Sequence, residues 1–225
     1  MEEISRVGQF DRATLEQTQL ADAQRQVLED LLSVCRQSLG TVDEELITNA
    51  FKLAWLSHQG AVRASGEPFY LHPVEVAKIV ASDLAIDDVS VAAALIHDTV
   101  EDTDVTLEEV REIFGETVAH LIDGVTKIKG VFSNRSAKQA ETFMKMLLSM
   151  ADDIRVVLIK FADRLHNLRT LQHLPREKQM KIASETLDLY APLAHRFGLF
   201  KIKNEYEDLC FKLLDPNSFS FIARK

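Results

Sequence analysis

The run from Ala92 to Thr103 (AAALIHDTVEDT) constrains the fold more than any other part of the chain. It sets four ionisable side chains, His97, Asp98, Glu101 and Asp102, in what otherwise reads as a buried helix. Polar and charged groups removed from water cost several kcal/mol unless something compensates them, and the strongest compensator for a His beside an Asp is a cation. On a continuous helix His97 and Glu101 share an edge, as do Asp98 and Asp102. A solvated helix end is the competing explanation of the His-Asp pair taken alone.

The rest of the chain narrows the choice. With 225 residues, 46% hydrophobic and 27% charged, it has the material for a large core. No apolar run approaches the ~20 residues that span a bilayer, and Met1-Glu2-Glu3-Ile4 lacks the basic, apolar pattern of a secretory signal. A cytoplasmic setting is expected, with no membrane partner. Cys35 and Cys210 stand far apart with no Cys-x-x-Cys spacing, which argues against a zinc ribbon, a redox pair or a disulfide framework. A net charge of −9 argues against direct binding to a nucleic-acid backbone.

Helical periodicity recurs along the whole chain, and no alternating strand pattern or tandem repeat interrupts it. Residues 9–40 carry apolar positions at three- and four-residue spacing, and Ile47, Ala50, Phe51, Ala54 and Trp55 form a core stripe that ends near Gly60. Pro73 is placed to open a helix, with His72 immediately before it. Asp87-Asp88 starts the helix that carries His97 and runs to Thr103, and Thr106 with Glu109 fits a capping box. Residues 130–136 read as a loop, with Lys127, Lys129, Arg135 and Lys138 forming a local cationic run, and residues 142–150 as a helix. The next helix, residues 153–171, opens on Val156-Val157-Leu158-Ile159 and is expected to be central. Asp163, Asn167 and Thr170 draw one polar line down it. Helices are expected at 177–197 and 201–214, with Asp215-Pro216 as a breaker. The fold class is all-α, a helical bundle with a buried metal site.

His72, His97, Asp98 and Asp163 supply two imidazoles and two carboxylates from segments each predicted to be buried. Mixed nitrogen and oxygen ligation suits Mn²⁺, Fe²⁺ or Zn²⁺ better than a thiolate site would. Glu101 and Asp102, about one turn beyond, can orient a water or carry its proton. Arg63 offers a planar, permanently charged head for which lysine is a poor replacement. His58, His120, His166, His173 and His195 lack an acidic partner at metal-site spacing and are read as structural or solvent-facing.

The order H…HD…D is that of the HD phosphohydrolase superfamily, and the strings RASGEPFYLHP, ALIHDTVEDT, LIDGVTKI, IKFADRLHNLRTL and YAPLAHRFG resemble the N-terminal hydrolase domain of the RelA/SpoT homologue (Rel) family. The resemblance runs from about Leu46 to Leu214. It implies a manganese-dependent hydrolase that removes pyrophosphate from the 3′ position of ppGpp or pppGpp. It implies His72, His97, Asp98 and Asp163 as metal ligands, Glu101 and Asp102 as the catalytic acidic pair, and Arg63, Ser65, Asn167 and Thr170 as nucleotide contacts. Ala64 departs from the polar or basic residue that many relatives carry, so no phosphate contact is expected there. Long family members continue into synthetase and regulatory domains, and this chain stops before any synthetase motif. Residues 1–200 are therefore expected to form the hydrolase domain and 201–225 a helical connector. Another HD phosphohydrolase, acting on a deoxynucleotide or cyclic dinucleotide, and a catalytically silent nucleotide-binding regulatory domain are the alternatives.

Overall fold

The structure is a computed structural model that describes residues 10–129 and 152–223. Helices account for the fold, and among the described residues the only strand-like pairing is an isolated bridge between Val62 and Pro68. The loop expected over 130–136 with Arg135 and Lys138, and the helix expected over 142–150, lie outside the described residues, whereas Lys127 pairs with Asp123 at 2.5 Å. Two compact units divide the chain: residues 1–61 with 69–159, and residues 62–68 with 160–225.

The first unit contains α1 (Arg12–Gln17), α2 (Asp22–Leu39), α3 (Glu44–Ser57), α4 (Leu71–Ser82), α5 (Asp88–Leu95), α6 (Thr99–Asp102), α7 (Leu107–Phe114) and α8 (Glu116–Lys129). Its starts follow from short polar side chains. Asp43 accepts from the Leu46 amide at 3.0 Å, Asp87 from the Ser90 amide at 2.7 Å, and Thr106 and Glu109 form the capping box reciprocally. Ser90 to Leu95 are fully buried, and the small side chains of Ala92, Ala93 and Ala94 let α5 pack closely on α3, α4 and α8. Gly124 on α8 serves the same end: a Cβ there would stand 2.7 Å from Cγ2 of Val156. The α3 stripe is buried at Ile47, Ala50, Phe51 and Ala54, whereas Trp55 is only half-buried.

Two expectations are corrected here. The helix carrying His97 does not run from Asp88 to Thr103; it stops at Leu95, turns through Ile96, His97 and Asp98, and resumes as α6. The cause is local. The amides of Ile96 and Thr99 take carbonyls three residues back, Ala93 at 3.2 Å and Ile96 at 3.0 Å, while the His97 ring itself takes the Ala94 carbonyl at 2.8 Å. A side chain that claims a main-chain acceptor competes with the helix ladder. The second correction is at α4, which begins at Leu71, so His72 sits inside the first turn and not before it.

The helix α9 (Ile154–Arg169) begins in the first unit, and its stretch from Lys160 belongs to the second. Val156, Val157 and Ile159 are buried, as its apolar opening requires. The second unit continues through a short 3₁₀ turn (Leu171–His173), α10 (Arg176–Glu185), a π turn (Thr186–Tyr190), α11 (Ala191–Arg196), α12 (Phe200–Leu214) and α13 (Pro216–Ala223). The π turn interrupts the single helix expected over 177–197. Pro192 lacks an N–H and its ring crowds the carbonyl four residues back, and widening the preceding turn relieves both. Asp215-Pro216 breaks the helix as expected and then starts α13, with Asp215 accepting from the Ser218 amide at 3.0 Å. Around α9 the core is aromatic: Phe161 meets Tyr190, Phe197 and Tyr206, and the Tyr206 hydroxyl donates to the Phe161 carbonyl at 2.6 Å. Burial foremost raises the Tyr206 hydroxyl well above the usual tyrosine range.

Candidate metal centre

In the first unit, α4 and the turn after α5 bring three of the predicted ligands together. His72, His97 and Asp98 are 3%, 0% and 8% exposed. Asp98 Oδ2 stands 3.1 Å from His97 Nε2 and 3.6 Å from His72 Nε2, and the two rings meet edge to face with centroids 5.5 Å apart. A backbone carbonyl only accepts, so His97 Nδ1 carries a proton toward Ala94, and Nε2 is the nitrogen that faces the carboxylate. A ring held by its other nitrogen on a main-chain carbonyl is how metal-ligating histidines are oriented. His72 is seated by packing: its amide donates to the Phe69 carbonyl at 3.0 Å, its ring meets the Phe69 ring, and Phe69 stacks on His58 at 4.6 Å. Two imidazoles and a carboxylate so near one another, almost fully out of water, fit a divalent first-row ion with mixed nitrogen and oxygen ligation. Helix α6 carries Glu101, half-buried, and Asp102, exposed, on the stretch that follows directly.

The remaining predicted residues belong to the second unit. Asp163 on α9 accepts from Asn167 Nδ2 at 2.6 Å through Oδ1, and its Oδ2 pairs with Lys160 Nζ at 3.1 Å. Asn167 Oδ1 in turn accepts from the Arg63 guanidinium at 2.8 Å, and another Arg63 nitrogen lies 3.3 Å from His166 Nδ1. The polar line foreseen along α9 is therefore real for Asp163 and Asn167. Thr170 turns its hydroxyl back onto the His166 carbonyl at 3.1 Å. Arg63 is presented by a tight loop closed by its amide on the Glu67 carbonyl at 2.9 Å, with Gly66 at φ +85°, a left-handed conformation that disfavours other residues. Ser65 in the same loop donates to Glu67 at 3.2 Å. Next to Asp163, Arg164 lies 4.2 Å over the Tyr190 ring. Burial opposes its charge, yet Tyr190, Glu185 and Asp163 outweigh that and raise the guanidinium above its usual value.

Sequence reasoning missed Lys160 and His166. Lys160 is 4% exposed and was legible as the one charge set into the apolar run between Val156 and Phe161. His166 gave no signal, because its contact with Arg63 spans 103 residues of sequence.

An all-helical fold that buries two imidazoles beside a carboxylate defines a divalent-metal domain. Residues 50–200 match the HD domain family, and the chain belongs to it. Among its relatives, a "GTP pyrophosphokinase" of Myxococcus xanthus is 50% identical over 187 residues, which are 81% of this chain and 25% of that protein. A "guanosine-3′,5′-bis(diphosphate) 3′-pyrophosphohydrolase" of Haemophilus influenzae is 50% identical over 169 residues, 75% of this chain and 25% of that protein. The chain thus spans about a quarter of the length of the curated relatives it matches. A solved structure described as "a metazoan ortholog of SpoT hydrolyzes ppGpp and plays a role in starvation responses" is similar over 77% of this chain and 97% of that one, with a TM-score of 0.54 and 26% identity.

Proposed function

We propose that the chain is a manganese-dependent hydrolase that removes the 3′-pyrophosphate of ppGpp and pppGpp, leaving GDP or GTP. The observation that carries this reading is the buried cluster of His72, His97 and Asp98 in a chain of the HD domain family. Asp163 completes the ligand set, following the sequence order of the motif. When bound, the ion supplies Lewis acidity toward a phosphoryl oxygen and lowers the pKa of water from ~16 toward ~7.

The chain's own residues do the rest. Glu101 and Asp102 orient the attacking water and take its proton. An oxygen–phosphorus bond forms from that water, the bond to the ribose 3′ oxygen breaks, and a proton returns to the 3′ oxygen as pyrophosphate leaves. Arg63 stacks on the guanine while keeping its charge, and Ser65, Asn167 and Thr170 add hydrogen bonds to the guanosine. Residues 1–200 carry the hydrolase activity, and 201–225 connect toward synthetase and regulatory domains of a longer, cytoplasmic protein, consistent with the quarter length matched in the relatives.

The test is hydrolysis of ppGpp, GTP, dGTP and a cyclic dinucleotide, each with Mn²⁺, with the products resolved by anion-exchange chromatography. Turnover of ppGpp alone, to pyrophosphate and GDP, is expected. Turnover of dGTP or the cyclic dinucleotide without ppGpp would transfer the chain to another HD phosphohydrolase class, and no turnover of any would make it a silent binding domain.

A further inference from the structure

We propose that Asn167 is a positioning residue that couples the nucleotide end of the site to its metal end, so that loosening Arg63 weakens metal binding even with no nucleotide present. The inference rests on the functional reading above, in which Asp163 is a metal ligand and Arg63 a guanosine contact. Its basis is an unbroken chain of hydrogen bonds from Arg63 to Asn167, from Asn167 to Asp163, and from Lys160 to the other oxygen of the same carboxylate, at 2.8, 2.6 and 3.1 Å.

The chemistry of that chain allows one arrangement only. A guanidinium solely donates and an ionised carboxylate solely accepts. An amide placed between them must therefore turn its oxygen to Arg63 and its nitrogen to Asp163, and a flipped amide would set donor against donor and acceptor against acceptor. Arg63 thus decides which way Asn167 faces, and Asn167 decides where the Asp163 oxygen nearest to it points. Lys160, 4% exposed, restrains the second oxygen. A carboxylate held at both oxygens keeps one rotamer before any ion arrives, and such outer partners typically govern metal affinity by about 10- to 100-fold. Asn167 still has a second N–H and a second lone pair, so its positioning role and a contact with the guanosine are compatible.

The coupling has a directional consequence. Arg63 is anchored twice, on Asn167 and on His166 Nδ1, and both anchors need the spread geometry of a guanidinium. Lysine keeps the charge and loses the fork. Arg63→Lys therefore leaves the local field in place and removes only the constraint on the amide, which separates coupling from simple electrostatics.

The experiment is calorimetric titration of the full chain with Mn²⁺, without nucleotide, on wild type, Arg63→Lys, Asn167→Leu, the double variant and Asp163→Ala. Thermal unfolding of the metal-free proteins is followed alongside. Asn167→Leu is expected to raise the Mn²⁺ dissociation constant about tenfold, Arg63→Lys about threefold, and the double variant no further than Asn167→Leu alone. An unchanged constant in Arg63→Lys, or two shifts that multiply in the double variant, would overturn the coupling. Should Asn167→Leu fail to fold, proton exchange of the Asn167 side-chain amide decides: faster in Arg63→Lys than in wild type if the coupling exists, equal if it does not. The two levels of the account fail differently. Wild-type Mn²⁺ affinity in Asp163→Ala removes the functional reading and the coupling with it, whereas ppGpp turnover, loss of Mn²⁺ in Asp163→Ala and an indifferent Arg63→Lys removes the coupling alone.

Discussion

The two groups of site residues are built on opposite principles. His97 and Asp98 stand where a helix breaks, and the break is made in part by the His97 ring taking the Ala94 carbonyl. Asp163 and Asn167 stand on an uninterrupted helix, where regular four-residue spacing alone brings amide to carboxylate at 2.6 Å. A junction can aim side chains in directions that no regular helix offers, and burial on all sides must then hold them. A regular helix offers fewer directions but holds them through its own ladder. The imidazole group should accordingly be brittle to substitution, and the Asp163 group graded.

The sharpest break is Asp98→Ala. Two buried imidazoles would lose the carboxylate that faces both, and metal content and turnover should vanish together; one equivalent of Mn²⁺ retained after gel filtration would contradict the assignment. Glu101→Gln should keep the metal and lower the turnover rate by about 10²- to 10⁴-fold. An unchanged rate at full metal content would make Glu101 a structural carboxylate.

Smaller effects test the scaffold beneath each group. Gly124→Ala forces a methyl against Val156 where α8 meets the opening of α9, and overpacking of this kind costs about 1–3 kcal/mol, read as a lower midpoint in urea unfolding. The smallest effect is in pH. Burial pushes the Cys35 and Cys210 thiols up to about 11 from 9.0, outweighing the nearby arginines. The unfolded thiols ionise first, so this contribution to stability is complete below pH 9 and lost as pH rises toward about 11. Both thiols should resist a disulfide reagent at pH 8 in the folded protein, and rapid labelling of either would show its burial to be incomplete.

Much of this was legible in the sequence, and the gaps have physical reasons. Helix starts at Asp87 and Thr106 were readable because a cap is a local contract between a side chain and amides two or three residues on. The grouping of His72 with His97 and Asp98 was readable from motif order. The break at His97 was not, because apolar periodicity continues through Ile96 and Val100 and hides a ring that displaces the backbone ladder. The π turn before Pro192 had a signal in the proline itself. The anchoring of Arg63 on His166 and Asn167 had none, since pairs more than a hundred residues apart leave no trace in local spacing.

The central claim is that one divalent ion is shared by His72, His97, Asp98 and Asp163. Anomalous diffraction at the manganese edge from crystals grown with Mn²⁺ tests it without reference to any substrate. A single peak within bonding reach of both imidazoles and both carboxylates is predicted, and a peak elsewhere, or one that leaves Asp163 outside its ligand sphere, would contradict the account.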